Sequence, residues 1–135
     1  MRFAFINDNK VAKIEEHEDV SLILDGHQYQ QVIDVTDKTY GPEIGWTYDN
    51  GSIYLDLPDV TPRQIRQAFI LSGLLTSVIE DAFVALPEPT KSFAQIEWEY
   101  SLAFKRRRPL VIQVGMILGW TEKQLDDLWI LAGKL

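Results

Sequence analysis

The sequence predicts an α+β protein, with a small N-terminal antiparallel β unit over residues 1–60 and a compact bundle of about five short helices over residues 61–135. Three observations carry that expectation. Up to Val60 the apolar residues alternate in short runs separated by turn residues, which is the two-residue period of strands. Beyond Thr61 they recur at helical spacing almost to the last residue. At the junction itself Thr61 can cap a helix, Pro62 suits a first turn, and Gln64 can close a capping box.

In the first unit, Phe3 and Phe5 and then Val11 and Ile14 read as two strands joined by the turn Asn7-Asp8-Asn9. The stretch Val20 to Leu24 is mostly apolar but ambiguous, and Asp25-Gly26 follows it. Tyr29 with Val32 to Val35 reads as a third strand, and Gly41-Pro42 as a turn. Trp46 and Tyr48 alternate with polar neighbours before Asp49-Asn50-Gly51, a hairpin signal because Asn-Gly supplies the positive φ a tight turn needs. Ile53 and Leu55 answer on the far side. A sheet of four or five such strands scarcely buries a core of its own and is expected to lean on the helices.

The second unit reads as five helices. The first spans Pro62 to Leu71, with Ile65, Ala68 and Phe69 on one face and Gly73 breaking it. The second, near Leu74 to Leu86, carries Leu75, Val78, Ile79, Ala82 and Leu86 inward and stops at Pro87-Glu88-Pro89. The third, from Thr90 to about Lys105, has Phe93, Ile96, Tyr100 and Phe104 on one stripe, and Ala94, Trp98 and Leu102 roughly opposite. The fourth, Pro109 to Leu118, is apolar nearly all round and is expected to be the buried one. Gly119 ends it. Thr121 and Gln124 form a second capping box for the last helix, whose Leu125, Leu128, Trp129 and Ala132 share a face.

Composition narrows the chemistry. The chain has 135 residues, 46% hydrophobic and 24% charged, as in a folded globular protein. Without cysteine there is no disulfide, thiolate zinc site or thiol nucleophile. No apolar run approaches the ~20 residues that span a bilayer, and Met1-Arg2-Phe3 runs straight into a strand pattern without signal-peptide organisation. A cytoplasmic location is therefore expected. Residues 1–60 hold four Lys/Arg against twelve Asp/Glu, and residues 61–135 hold nine against eight. The acidic first unit would repel nucleic acid.

No catalytic pattern stands out. His17 and His27 lie among Glu15, Glu16, Glu18, Asp19 and Asp25, but their spacing fits no metal-ligand pattern, so neither metal nor cofactor is expected. Glu97 and Glu99, two apart on a helix, point about 200° from each other and cannot act as one acid–base pair. Gly115 and Gly119 suit close packing and a helix stop rather than a phosphate loop. Val111 to Trp129 has the outline of a helix-turn-helix, yet Glu122, Asp126 and Asp127 make its second helix acidic, and a plain helical hairpin explains it equally. The run Lys105-Arg106-Arg107-Arg108 either offsets a helix C-terminal dipole or grips a phosphate or an acidic partner surface, at ~0.2–1 kcal/mol per exposed contact. Trp98 and Leu102, and Trp46 with Tyr48, are either internal or presented to a partner.

Several strings carry a resemblance. They are Val60-Thr61-Pro62-Arg63-Gln64-Ile65-Arg66-Gln67-Ala68, Gly73-Leu74-Leu75, Leu86-Pro87-Glu88-Pro89 and Ala94-Gln95-Ile96-Glu97-Trp98-Glu99-Tyr100. Arg108-Pro109-Leu110-Val111 and the run Leu118-Gly119-Trp120-Thr121-Glu122-Lys123-Gln124-Leu125-Asp126-Asp127-Leu128 continue them. Together they resemble small proteins encoded in the tail modules of tailed bacteriophages and prophages, and Gly45-Trp46-Thr47-Tyr48-Asp49-Asn50-Gly51 is similar to a β element from that setting. Glu15 to about Lys38 has no counterpart. The resemblance implies a non-enzymatic tail accessory or tail-fibre assembly factor of chaperone type, in the host cytoplasm or the virion tail, and brings no catalytic residues with it. The expected partner is another tail or fibre protein, or a second copy of the chain, and neither nucleic acid nor membrane. Trp46, Tyr48, Trp98, Leu102, Arg106 and Arg107 are the candidate contacts. The alternative is a small DNA-binding regulator that uses the last hairpin and the Lys105–Arg108 run. A hydrolase with an unrecognised site is a third reading.

Overall fold

The computed structural model describes residues 1–18 and 28–135. The ambiguous stretch Val20 to Leu24, with Asp19, Asp25-Gly26 and His27, lies outside the described residues. The chain is α+β, with an antiparallel sheet followed by five helices. It forms two units, Met1–Asp56 and Leu57–Leu135. Leu57 and Val60 go with the helices because both pack into the helical core, where Val60 forms a β-bridge to Phe104.

The first unit contains β1 (Arg2–Asn7), β2 (Lys10–Glu16), β3 (Gln31–Asp34), β4 (Thr47–Asp49) and β5 (Ser52–Tyr54), in the order β3-β1-β2-β4-β5. Asp8 and Asn9 take φ of 51° and 60° between β1 and β2, both positive as a two-residue hairpin turn requires. Asn50 and Gly51 repeat the device between β4 and β5 at 47° and 90°. Alternation along central β1 sends Ala4 and Ile6 to one face and Phe3 and Phe5 to the other, and all four are buried. The sheet is expected scarcely to bury a core of its own, yet Ala4, Ile6, Val11, Val35 and Trp46 form a buried cluster within its unit. The chain ahead of β4 makes this work. Val11 N–H donates to Trp46 O at 2.8 Å and Gly45 N–H to Val11 O at 2.8 Å, which brings Trp46 inward. Its ring lies against Gly41, where an added Cβ would sit 2.3 Å from the indole and where φ is +61°.

The helical unit contains α1 (Pro62–Leu71), α2 (Thr76–Val84), α3 (Thr90–Tyr100), α4 (Pro109–Ile117) and α5 (Glu122–Gly133). Both expected capping boxes form, at Thr61/Gln64 and Thr121/Gln124. Helices α1 and α2 meet at 103° across Gly73, whose φ is +87°. The first and last helices pack on one another, and α2 touches α1, α3 and α4. Among the described residues, no single helix is long and apolar enough to cross a membrane.

Three helical expectations need correction. Helix α2 begins at Thr76, later than expected, with Leu75 and Val78 exposed and Phe83 buried beside Ile79, Ala82 and Leu86. Helix α3 stops at Tyr100 because Ser101 turns extended and the chain pairs instead with Val60; Phe104 N–H donates to Val60 O at 2.7 Å. Within α3 the stripe Phe93, Ile96 and Tyr100 faces outward while Ala94 and Trp98 face in, and Phe104, beyond the helix, packs against the core. Helix α4 is apolar but not enclosed, since only Val114 and Gly115 are buried and Met116 is exposed.

Two predictions follow from the sheet unit. Asp34 Oδ1 accepts from the Thr36 hydroxyl and from the Thr36 N–H at 2.9 Å, and these hydrogen bonds hold the carboxyl below its ordinary range. A carboxyl lowered by folding stabilises the fold at pH above its unfolded value, and that contribution is lost as pH falls through the folded value. Thr36→Val should return the Asp34 carboxyl toward the ordinary range in an NMR titration. Gly41→Ala should cost at least ~1–2 kcal/mol from the left-handed backbone alone, with the Trp46 clash adding to it, as read by urea unfolding.

Candidate functional site

The basic run is the strongest local charge signal, and the structure turns it inward. Arg106 Nε donates to Asp126 Oδ1 at 2.8 Å, and its Nη2 donates to Glu122 Oε2 at 2.5 Å and to the Glu122 carbonyl at 3.2 Å. Arg106 is 2% exposed and Asp126 1%. Arg107 reaches the same two carboxylates at 3.3 Å each. Arg108 pairs with Glu97 on α3 at 2.6 Å, and Lys105 lies 4.0 Å from Asp59. The run therefore offsets no helix C-terminal dipole, because α3 ends before it and Arg108 is the N-cap of α4. Arg106 and Arg107 instead meet carboxylates one helical turn apart on α5, and Arg108 meets Glu97 on α3. Asp126, expected at the surface, is the buried half of the pair. The sequence signal that could have revealed this is the i, i+4 spacing of Glu122 and Asp126, which puts both acids on one face of α5.

Trp98 is a core residue. Its ring lies 5.7–6.1 Å from Phe69, Phe83 and Phe104, in tilted or edge-on contacts. The Arg66 guanidinium covers it at 4.4 Å while donating to the Trp98 carbonyl at 2.7 Å. Trp46 is likewise inside its own unit, edge-on to Tyr40 at 5.2 Å. Of the six candidate contacts, burial takes Trp46, Trp98 and Arg106 out of surface recognition. Tyr48 and Arg107 are partly exposed, and Leu102 stands out at 88% exposure. Near Leu102 in the chain are residues the sequence reading placed on an ordinary packing stripe: Phe93, Ile96 and Tyr100, exposed on one face of α3.

The helical unit also contains an apolar cavity of about 70 Å³, lined by parts of all five helices and by the segment between α3 and α4. His17 Nε2 lies 2.8 Å from Glu15 Oε2, and among the described residues no group of three or more such side chains gathers. Searches against protein-family models, curated proteins and solved structures find no match for the chain.

The buried pair yields a graded prediction. Asp126→Ala leaves the Arg106 charge buried without its partner and should cost ~3–5 kcal/mol in chemical denaturation. Glu122→Ala removes a half-exposed carboxylate and should cost ~1 kcal/mol or less.

Proposed function

We propose that this protein is a non-enzymatic binding module, a phage tail accessory or tail-fibre assembly factor that covers apolar surface on another tail protein. The observation that carries this reading is the outer face of α3. Phe93, Ile96 and Tyr100 occupy i, i+3 and i+7 with Leu102 just beyond, and all are exposed although bulky and apolar. Side chains of this size lose stabilisation in water and mark interaction surfaces when they share a face. Aromatic residues are over-represented among the anchors that dominate binding energy. The likeness of the helical motifs to tail-module proteins supplies the setting.

The DNA-binding alternative draws less support, because the cations it relied on face Asp59, Glu97, Glu122 and Asp126. A protein gripping phosphates keeps such groups free for the backbone.

The test is co-expression with tail-fibre proteins of tailed phages, using the double variant Phe93→Ser/Tyr100→Ser. Both positions are exposed, so each change should alter folding stability by no more than ~0.5 kcal/mol. Loss of the anchors should weaken the complex by ~2 kcal/mol or more, read by calorimetry. Unchanged binding by a folded double variant would refute the role of this face. Salt-steep binding to duplex DNA would favour the regulator instead.

A further inference from the structure

The outer face of α3 carries a charge pattern as well as an apolar one. Phe93, Ile96 and Tyr100 stand at i, i+3 and i+7, each more than half exposed. That spacing is the row a helix presents when it packs beside a second helix, knobs into holes. The row runs about 10 Å along α3, which two turns of a partner helix match. Glu97 is i+4 from Phe93 and Glu99 is i+3 from Ile96, so helical geometry sets one acid on each side of the row.

Charge is segregated within the helical unit. Residues 75–100, which contain α2, α3 and their connection, hold five Asp/Glu against one Lys. The other residues of the unit, 57–74 and 101–135, hold four Asp/Glu against eight Lys/Arg. Ion pairing leaves the acidic part largely uncompensated. Glu88 has Lys91 at 3.6 Å and Glu97 has Arg108 at 2.6 Å. Among the described residues, however, the exposed Glu80, Asp81 and Glu99 have no ion-pair partner. The apolar row thus belongs to an acidic helical hairpin. A second copy docked through the same face would bring acids against acids, because a two-fold contact matches a patch with itself. A cationic surface meets no such penalty.

We infer that the outer face of α3 receives a basic amphipathic helix of another protein, with apolar side chains on Phe93, Ile96 and Tyr100 and flanking lysines or arginines directed at Glu99 and the acids of α2. This rests on the reading of that face as a binding surface, and it names the chemistry of what is bound. The apolar row supplies the contact, and the acids select the partner.

The probes are two synthetic helical peptides of about 20 residues, long enough to hold some helix alone. Both have leucine at the a and d positions, one with lysine and the other with glutamate at the flanking positions. Each is titrated into the full chain by calorimetry. The lysine peptide should bind saturably, roughly tenfold or more tightly than the glutamate peptide. Glu80→Gln/Asp81→Asn/Glu99→Gln should weaken the lysine peptide roughly three- to thirtyfold. Asp37→Asn/Glu43→Gln, at two exposed acids of the sheet unit, should leave its binding unchanged. Phe93→Ser/Tyr100→Ser should abolish it. All these positions are exposed, and the melting temperature of each variant checks its fold. The inference is overturned if the lysine peptide fails to bind, if the α2–α3 charge variant binds it as tightly as the parent, or if the sheet-unit variant weakens it as much. Equal binding of both peptides that is still lost in Phe93→Ser/Tyr100→Ser overturns the basic partner and leaves the binding surface standing. Binding that survives Phe93→Ser/Tyr100→Ser overturns both. Self-association that this double variant abolishes would assign the face to a second copy instead.

Discussion

The helical unit depends on one buried charge being matched. Arg106 has a guanidinium removed from water, and such a charge is tolerated inside a protein only beside an opposite charge with good hydrogen-bond geometry. Asp126 supplies it at 2.8 Å, and Glu122, one turn earlier on α5, supplies the second contact. The pair pins the segment between α3 and α4 to the last helix. Two further contacts hold the same segment, the Val60–Phe104 bridge and the Trp129 indole N–H donating to the Phe104 carbonyl at 3.3 Å. With the segment fixed, α3 ends at Tyr100, Trp98 packs under Phe104, and the outer stripe of α3 faces solvent.

That arrangement separates two kinds of apolar surface. Trp98, Phe69, Phe83 and Phe104 stabilise the unit by burial and by tilted ring contacts. Phe93, Ile96, Tyr100 and Leu102 contribute nothing comparable to the fold, since they remain in water. A helix with apolar residues on both faces has one face answerable to its own core and another free to meet something else. The same contacts that stabilise the helical unit direct its basic run toward carboxylates of that unit. Contact through exposed carbon, more than charge, is what this surface offers.

In the sheet unit, packing is settled by a close approach. Trp46 fits because Gly41 lacks a Cβ and tolerates φ of +61°, and because backbone hydrogen bonds from Gly45 and Val11 draw the chain over the β1–β2 hairpin. A tryptophan beside a hairpin turn reads in sequence as either core or contact. The glycine five residues earlier makes it core.

The sequence by itself determined what local chemistry controls. The α+β class, the Asp8-Asn9 and Asn50-Gly51 turns, the two threonine capping boxes, and the inward faces of α1 and α5 all rest on interactions a few residues apart, which a linear pattern records directly. Only the tertiary structure decided the rest. Where α3 stops depends on the bridge between Val60 and Phe104, and where Asp126 lies depends on Arg106, partners far apart in the chain that no local pattern records. The candidate contacts divided along the same line, because periodicity shows that a residue is apolar and on a given stripe, while burial depends on what the folded chain brings opposite it.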